Sequence, residues 1–321
     1  NRLGIREIAR RLNRAGSTIS RELSRFSKMN RSWRRRWSKL PWFEKARYAH
    51  GESLRNRSCA RVRGWGLKNE LVRQYVDVHI RKKWSPRRIA IRISKDLPGE
   101  SISHEAIYQY IFSIARELIK FLKRCSKQGR RKRSNGKKQR ANSIDRRRID
   151  QRPESVLSRK DFGHYESDLI VSGKGGKSCL LVFVERKTRR TWIRKIKDRQ
   201  ANTVRQVIFQ LLHGLPAATR KSLTVDNGKE HEWLPELESI FKDDGFFVYY
   251  CNPYSAWERV TVEAINGVIR NKFPKGTNFG LVSEEEVKEL EQWINSLPME
   301  CHKGHTMLEM YHQELQKVAT Q

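Results

Sequence analysis

Apolar residues recur along this chain in two rhythms, separated by a stretch with none. In residues 4–23, GIREIARRLNRAGSTISREL, Ile5, Ile8, Ala9 and Leu12 return at helical spacing. Asn13 to Gly16 interrupt the pattern, and Ile19 and Leu23 resume it, so two short helices joined by a tight polar turn are predicted. Helical segments are also expected around Leu71 to Ile80. At Ser85-Pro86 a helix cap and a first helical residue precede Ile89, Ala90 and Ile93 on one face. Pro98 and Gly99 break that helix, and Ser103 can cap the next, with Ile107, Tyr110 and Ile111 inward. From Lys123 to Arg148 the apolar period vanishes. From Phe162 the rhythm shortens: HYESDLIVSG, SCLLVFVERKT and RTWIRKIKD read as three strands of an antiparallel meander, rich in β-branched and aromatic residues. There follow a helix (NTVRQVIFQLLHGL), a strand (SLTVDNG), a helix through Leu234 to Phe241, a strand (FFVYYCNP) and a helix within Trp257 to Gly276. Val262, Ile265, Val268 and Ile269 form the apolar side of that last helix.

Three strands, helix, strand, helix, strand, helix is the order of a ribonuclease-H-like α/β domain, a mixed five-stranded sheet with helices. The predicted organisation is therefore an all-α helix-turn-helix region ahead of such a domain. Its parts are a helix-turn-helix in residues 1–30, a basic and partly helical connector in 31–83, a second helix-turn-helix in 84–122, a basic linker in 123–160 and the ribonuclease-H-like domain in 161–321. The chain opens with Asn1 rather than Met, and is expected to lack its true start.

Charge sharpens this division. Residues 1–160 hold 46 Lys and Arg against 13 Asp and Glu, a net +33, whereas residues 161–321 hold 22 of each. A polyanionic partner is the economical explanation, because neutralising phosphates with Lys and Arg drives nucleic-acid binding. The second helix of a helix-turn-helix can enter the DNA major groove, which would turn Ser17, Thr18, Ser20 and Arg21 toward DNA. Ser103 and His104 hold the corresponding place in the second module. No apolar run approaches the roughly 20 residues of a membrane span, and no signal-peptide pattern opens the chain, so a cytoplasmic, nucleoid-associated protein is expected. Cys59, Cys125, Cys179, Cys251 and Cys301 are odd in number and form no CxxC pair, which indicates neither zinc nor a disulfide framework.

The chemistry lies in three acids. Asp168 falls inside the first strand, where Asp is depleted; Asp226 ends the fourth, before the Asn227-Gly228 turn; Glu263 stands on the last helix. First and fourth strands are neighbours in this order, so the two aspartates meet at one sheet edge and the helix can add the glutamate. Three carboxylates there favour hard cations, two Mg²⁺ with Mn²⁺ as a substitute. Two such ions about 3.5–4 Å apart suit in-line phosphoryl transfer at a phosphodiester. Asp226 would equally serve as a turn former, and Glu263 with Arg270, seven residues on, as a surface ion pair. Glu166 and His164 project on the face of Asp168 and could support the site. Lys187, Arg189 and Arg190 could contact DNA or cap the strand turn.

REIARRL…STISREL, WSP..IA..I, SHEAIYQYI, GHYESDLI, ERKTR, TVDNGKE, NPYSAWERVTVEAINGVIRNKFPKGT and a closing IN..P resemble, in the same order, insertion-sequence transposases of the IS-thirty family. The resemblance covers nearly the whole chain. It implies a helix-turn-helix region that binds the inverted terminal repeats of the element, and a DDE catalytic domain that cuts and joins repeat and target DNA with divalent metal. The catalytic and metal-binding acids carry over to Asp168, Asp226 and Glu263, and Arg270 to a basic residue that can contact substrate DNA. A homodimer or higher assembly on DNA is expected, since two ends must be brought together. The chain departs from the family pattern at Val260, Val262 and Ala264, where a glycine and two asparagines are usual. It departs again at Leu297-Pro298-Met299-Glu300, where a basic run is usual, and at Ala15-Gly16, in place of Ser-Pro. Two rival functions are a decayed or repurposed copy acting only as a sequence-specific DNA-binding protein, and a general nuclease of the same fold.

Overall fold

The computed structural model describes residues 4–11, 13–17, 20, 41, 67, 69–122, 146–173, 175–252 and 255–320. The chain forms two units, residues 1–68 and 69–321. In the first, helix α1 (Ile5–Arg11) ends where Asn13 takes a left-handed backbone (φ 49°), a conformation Asn tolerates and one that stops a helix. Thr18, Ile19, Arg21 and Leu23 of the predicted second helix lie outside the described residues, as do most of the connector and residues 123–145 of the linker.

The second unit opens with three helices, α2 (Glu70–Arg81), α3 (Pro86–Asp96) and α4 (His104–Ser113). Each begins at a side-chain cap: Asn69 accepts from the Leu71 N–H at 2.9 Å, Ser85 from Arg88 at 3.4 Å and Ser103 from Ala106 at 3.1 Å. Ile89, Ile93, Ile107 and Ile111 are fully buried, as their spacing predicts, and so is Ile80. Tyr75 Oη donates to Asp96 at 2.6 Å and Tyr110 Oη to Asp77 at 3.0 Å, tying α2 to α3 and α4.

The remainder is built on strands β1 (His164–Val171), β2 (Cys179–Glu185), β3 (Thr191–Ile196), β4 (Ser222–Val225) and β5 (Phe247–Tyr250), in the order β3-β2-β1-β4-β5. β1, β2 and β3 pair antiparallel, while β4 runs parallel to both β1 and β5. That is the mixed ribonuclease-H-like sheet expected from the element order. Helices α5 (Ala201–His213), α6 (Pro235–Ile240) and α9 (Met307–Ala319) cover one face around Tyr165, Phe183, Leu223 and Tyr250; α7 (Val260–Lys272) and α8 (Glu284–Asn295) cover the other around Ile170, Val182, Val262 and Leu290. Coverage on both faces explains why β2 reads as a nearly continuous apolar run and is buried at every residue.

Among the described residues, two regions ahead of residue 161 are joined to this domain. Residues 146–152, the end of the predicted linker, lie along β5: Tyr250 donates its N–H to Arg147 O at 2.9 Å, and the Arg147 guanidinium sits 4.6 Å from the centre of the Phe247 ring. On the opposite side, Arg92 of α3 forks onto Glu309 of α9 at 2.7 and 2.8 Å, and Trp293 Nε1 donates to Lys82 O at 2.9 Å.

Candidate active site

Strand register brings the two aspartates together. His164, Tyr165 and Glu166 face Ser222, Leu223 and Thr224, and two residues further in the same register stand Asp168 and Asp226. Alternation along β1 places Glu166, Asp168 and Ile170 on the face that α7 covers. Beyond β4, Asn227 Nδ2 donates to Cys251 O, which fixes the turn carrying Asp226 to the end of β5.

Between the two carboxylates lies one buried guanidinium, that of Arg259. Its Nη1 is 3.0 Å from Asp168 Oδ1 and its Nη2 3.4 Å from Asp226 Oδ2, while Nη1 also donates to Ser167 O at 3.1 Å. Arg259 ends a single turn of 3₁₀ helix (Ala256–Arg259) that is tied to the end of β5, because the Glu258 carboxylate accepts from the Asn252 N–H at 2.8 Å and from its Nδ2 at 3.1 Å. The other oxygens are also held. Asp168 Oδ2 accepts from Asn266 Nδ2 at 2.7 Å; Asp226 Oδ1 accepts from the Gly228 N–H at 3.0 Å and lies 2.7 Å from His231 Nδ1. Burial pushes the Asp226 carboxyl up, but His231, Arg259 and the Gly228 N–H outweigh it and hold the group well below the usual carboxylate range. Burial alone would favour a neutral Arg259, and the two aspartates reverse that and raise its pKa.

Glu263 stands between these contacts along the chain. Arg259, at the cap position ahead of α7, and Glu263, Asn266 and Arg270 within it follow one another at four, three and four residues, and the last three share one stripe of the α7 face. Arg259 and Asn266 touch Asp168, whereas Glu263, one turn from each, is exposed and makes no hydrogen bond or ion pair among the described residues. Burial raises its carboxyl above the ordinary value, and the nearby Asp168 and Glu166 charges add to this against the opposing effect of Arg259. Among the described residues, no three His, Cys, Asp or Glu side chains stand close enough to hold a metal ion. The donor chemistry nevertheless fits a hard cation, since two carboxylates already converge on a single positive group.

Supporting residues have definite places. Glu166 is fully buried; its Oε1 pairs with Arg186 Nε at 2.9 Å and its Oε2 accepts the Val262 N–H at 2.9 Å. It thereby supplies from β1 the cap that α7 lacks locally, since no residue at the α7 entry caps it. Of the departures from the family pattern in this helix, Val262 is buried in the core beneath α7, while Val260 and Ala264 face outward. His164 is buried with Nδ1 2.7 Å from Ser222 Oγ, and burial with the charges of Lys221 and Arg186 lowers its pKa to about 4. It is a neutral part of the sheet. Lys187 Nζ is paired with Glu314 at 2.6 Å, Arg189 donates to Thr261 Oγ1 at 2.7 Å, and Arg190 lies over the Trp192 ring. Arg270 donates only to the Pro274 and Val171 carbonyls, at 3.3 and 3.5 Å, and has no acidic partner among the described residues. Ser17, Ser20 and Ser103 are exposed and His104 is half-buried. Arg259, Asn266 and His231 are the residues that sequence reasoning missed. The stripe spacing of Arg259 and Asn266 with Glu263 is the signal that could have found two of them.

Residues 1–25 match the helix-turn-helix domain family. The chain is 34% identical to the transposase for insertion sequence element IS1086 of Cupriavidus metallidurans, over 98% of this chain and 90% of that protein. It is 32% identical to transposase InsI for insertion sequence element IS30A of Escherichia coli K12, over 96% of this chain and 79% of that one. A solved structure of the catalytic core domain of BIV integrase is similar at 20% identity and a TM-score of 0.39, over 50% of this chain and 100% of that one. With identities above 30% across nearly its whole length, the chain belongs to the IS-thirty family of insertion-sequence transposases.

Proposed function

We propose that this transposase cuts and joins DNA by the DDE route, with Asp168, Asp226 and Glu263 as its three carboxylates. One observation carries the reading: Asp168 and Asp226, from separate strands, share a single buried cation, with Glu263 on the helix stripe that touches them. Two Mg²⁺, or Mn²⁺ in their place, would be held by these acids and would supply activation of the attacking hydroxyl and stabilisation of the leaving oxygen. The chain's own contribution is placement. Asn266 and His231 orient the two aspartates, Glu166 holds α7 against the sheet, and Glu263 completes the set by turning inward from solvent. Arg270, without an acidic partner among the described residues, is offered to a backbone phosphate. Lys187 and Arg189 reach DNA only after leaving Glu314 and Thr261.

The proposed division of labour gives residues 1–30 and 84–122 the reading of the terminal inverted repeats, through Ser17, Thr18, Ser20 and Arg21 and through Ser103 and His104. Residues 31–83 and 123–160 then act as basic connectors, and residues 161–321 perform the chemistry as a homodimer or larger assembly on repeat and target DNA.

A strand-transfer assay on labelled terminal-repeat DNA with Mg²⁺ tests this. Asp168→Asn, Asp226→Asn and Glu263→Gln should each lower strand transfer at least about a hundredfold, the upper end of what removing even a supporting residue costs a metal site. Repeat binding in a gel-shift assay should persist. Full activity in any of the three removes that residue from the catalytic set. A second reading, a copy that binds the repeats without cutting, is favoured by the solvent-facing Glu263, which has no hydrogen bond or ion pair among the described residues; wild-type protein that shifts repeat DNA but transfers no strand would establish it.

A further inference from the structure

We infer that Arg259 is a tethered competitor for a divalent ion: its guanidinium occupies the position between Asp168 and Asp226 that an ion held by both would take, so that metal uptake requires withdrawal of Arg259. The inference rests on the DDE reading of these acids. Guanidinium forks usually place both prongs on one carboxylate. Here one nitrogen addresses Asp168 and the other Asp226, so the group bridges two strands as a cation bound by both would. Among the described residues, the guanidinium's other hydrogen bond is from Nη1 to Ser167 O, and Nε is buried with no partner. Position makes the two occupants exclusive. The guanidinium nitrogens lie 3.0 and 3.4 Å from the two carboxylates, and a divalent ion drawn between the same oxygens would stand directly against a second cation. The segment that carries it borders solvent: Trp257, two residues before Arg259, and Val260, the residue after it, are 69% and 49% exposed. The helix that follows is anchored independently through Glu166 and the Val262 N–H.

Mn²⁺ binding to the full chain, measured by calorimetry and by electron paramagnetic resonance without DNA, tests this apart from activity. Arg259→Gln should bind Mn²⁺ at least about tenfold more tightly than wild type, a gain of about 1.4 kcal/mol. Its metal-free melting midpoint should fall and its rise on adding Mn²⁺ should exceed that of wild type. Arg259→Lys, which keeps the charge but loses the fork, should lie between the two and serves as the deciding variant if Arg259→Gln does not fold. Asp168→Asn provides the site control. If Mn²⁺ uptake depends on Asp168 but is equal or weaker in the Arg259 variants, the competitor role is overturned and the DDE reading stands. If uptake is indifferent to Asp168→Asn, the metal site itself falls, and this inference with it.

Discussion

At the scale of single residues, the two aspartates differ in how they are held, and this predicts different sensitivities. Asp168 relies on side chains from one segment, Arg259 and Asn266, whereas Asp226 is fixed by the backbone N–H of Gly228 and by His231, which is 1% exposed. His231 is a positioning residue for Asp226. If Asp226 binds metal as proposed, His231→Ala should lower strand transfer about 10–100-fold, the usual cost of removing a partner that orients such a carboxylate, with repeat binding unchanged. His231→Asn, which can still donate toward Asp226, should recover part of the loss; equal rates in both variants and wild type would remove His231 from the site. That Asp168 and Asp226 come together was legible in the sequence, because an Asp inside a strand and another before a tight turn are chemically out of place. Arg259 and His231 were not. An arginine beside Trp257 looks like any surface charge until the fold places acids 91 and 33 residues away against it.

Among the elements, strands and helices followed the alternation and the caps closely, since a sheet covered on both faces needs the apolar run that β2 displays. What periodicity could not convey is how α7 begins. Its entry, Arg259 to Val262, contains no capping side chain, and Glu166, 96 residues earlier, takes the Val262 N–H. Likewise the end of the basic linker carries no apolar rhythm, so its lodging along β5 by backbone pairing and by guanidinium contacts with Tyr250 and Phe247 had no sequence signature. Glu166 and Arg186 are both buried, so Glu166→Gln leaves an unpaired charge in the interior as well as weakening a helix start. The expected cost is about 3–5 kcal/mol. At a shift of about 2–4 °C per kcal/mol, the melting midpoint should drop by roughly 6–20 °C. Glu166→Met with Arg186→Leu, which removes both charges, should recover much of the stability but not the strand transfer, because α7 still loses its cap. Recovery of both would show that the pair serves stability alone.

For residues 69–321 as a whole, α3 is docked on the sheet domain through a carboxylate with two tasks. Glu309 closes the capping box at the start of α9, accepting from the Thr306 N–H at 2.9 Å, and receives the Arg92 fork. Arg92, burial notwithstanding, holds the Glu309 carboxyl down to about 2, with the Thr306 N–H and His305 assisting. A carboxylate whose pKa is depressed on folding contributes stability that is fully present above its unfolded value, near 4.5, and lost as pH falls through that value toward 2. Docking of α3 should therefore be unaffected by pH above about 5 and weaken progressively between about 4.5 and 2. Because Glu309 is more than a third exposed, the coupling measured by a double-mutant cycle of Arg92→Ala and Glu309→Ala should be modest, about 1 kcal/mol, rather than the value a buried pair would give. Trp293, which donates to Lys82 O across the same junction, reports the event. The difference in fluorescence between wild type and Trp293→Phe isolates its emission, which should shift to the red as acid loosens the junction. In Glu309→Gln that acid-induced shift should be absent, because the fork is already broken at neutral pH. An unchanged pH profile in Glu309→Gln would mean that other carboxylates hold the helices to the domain.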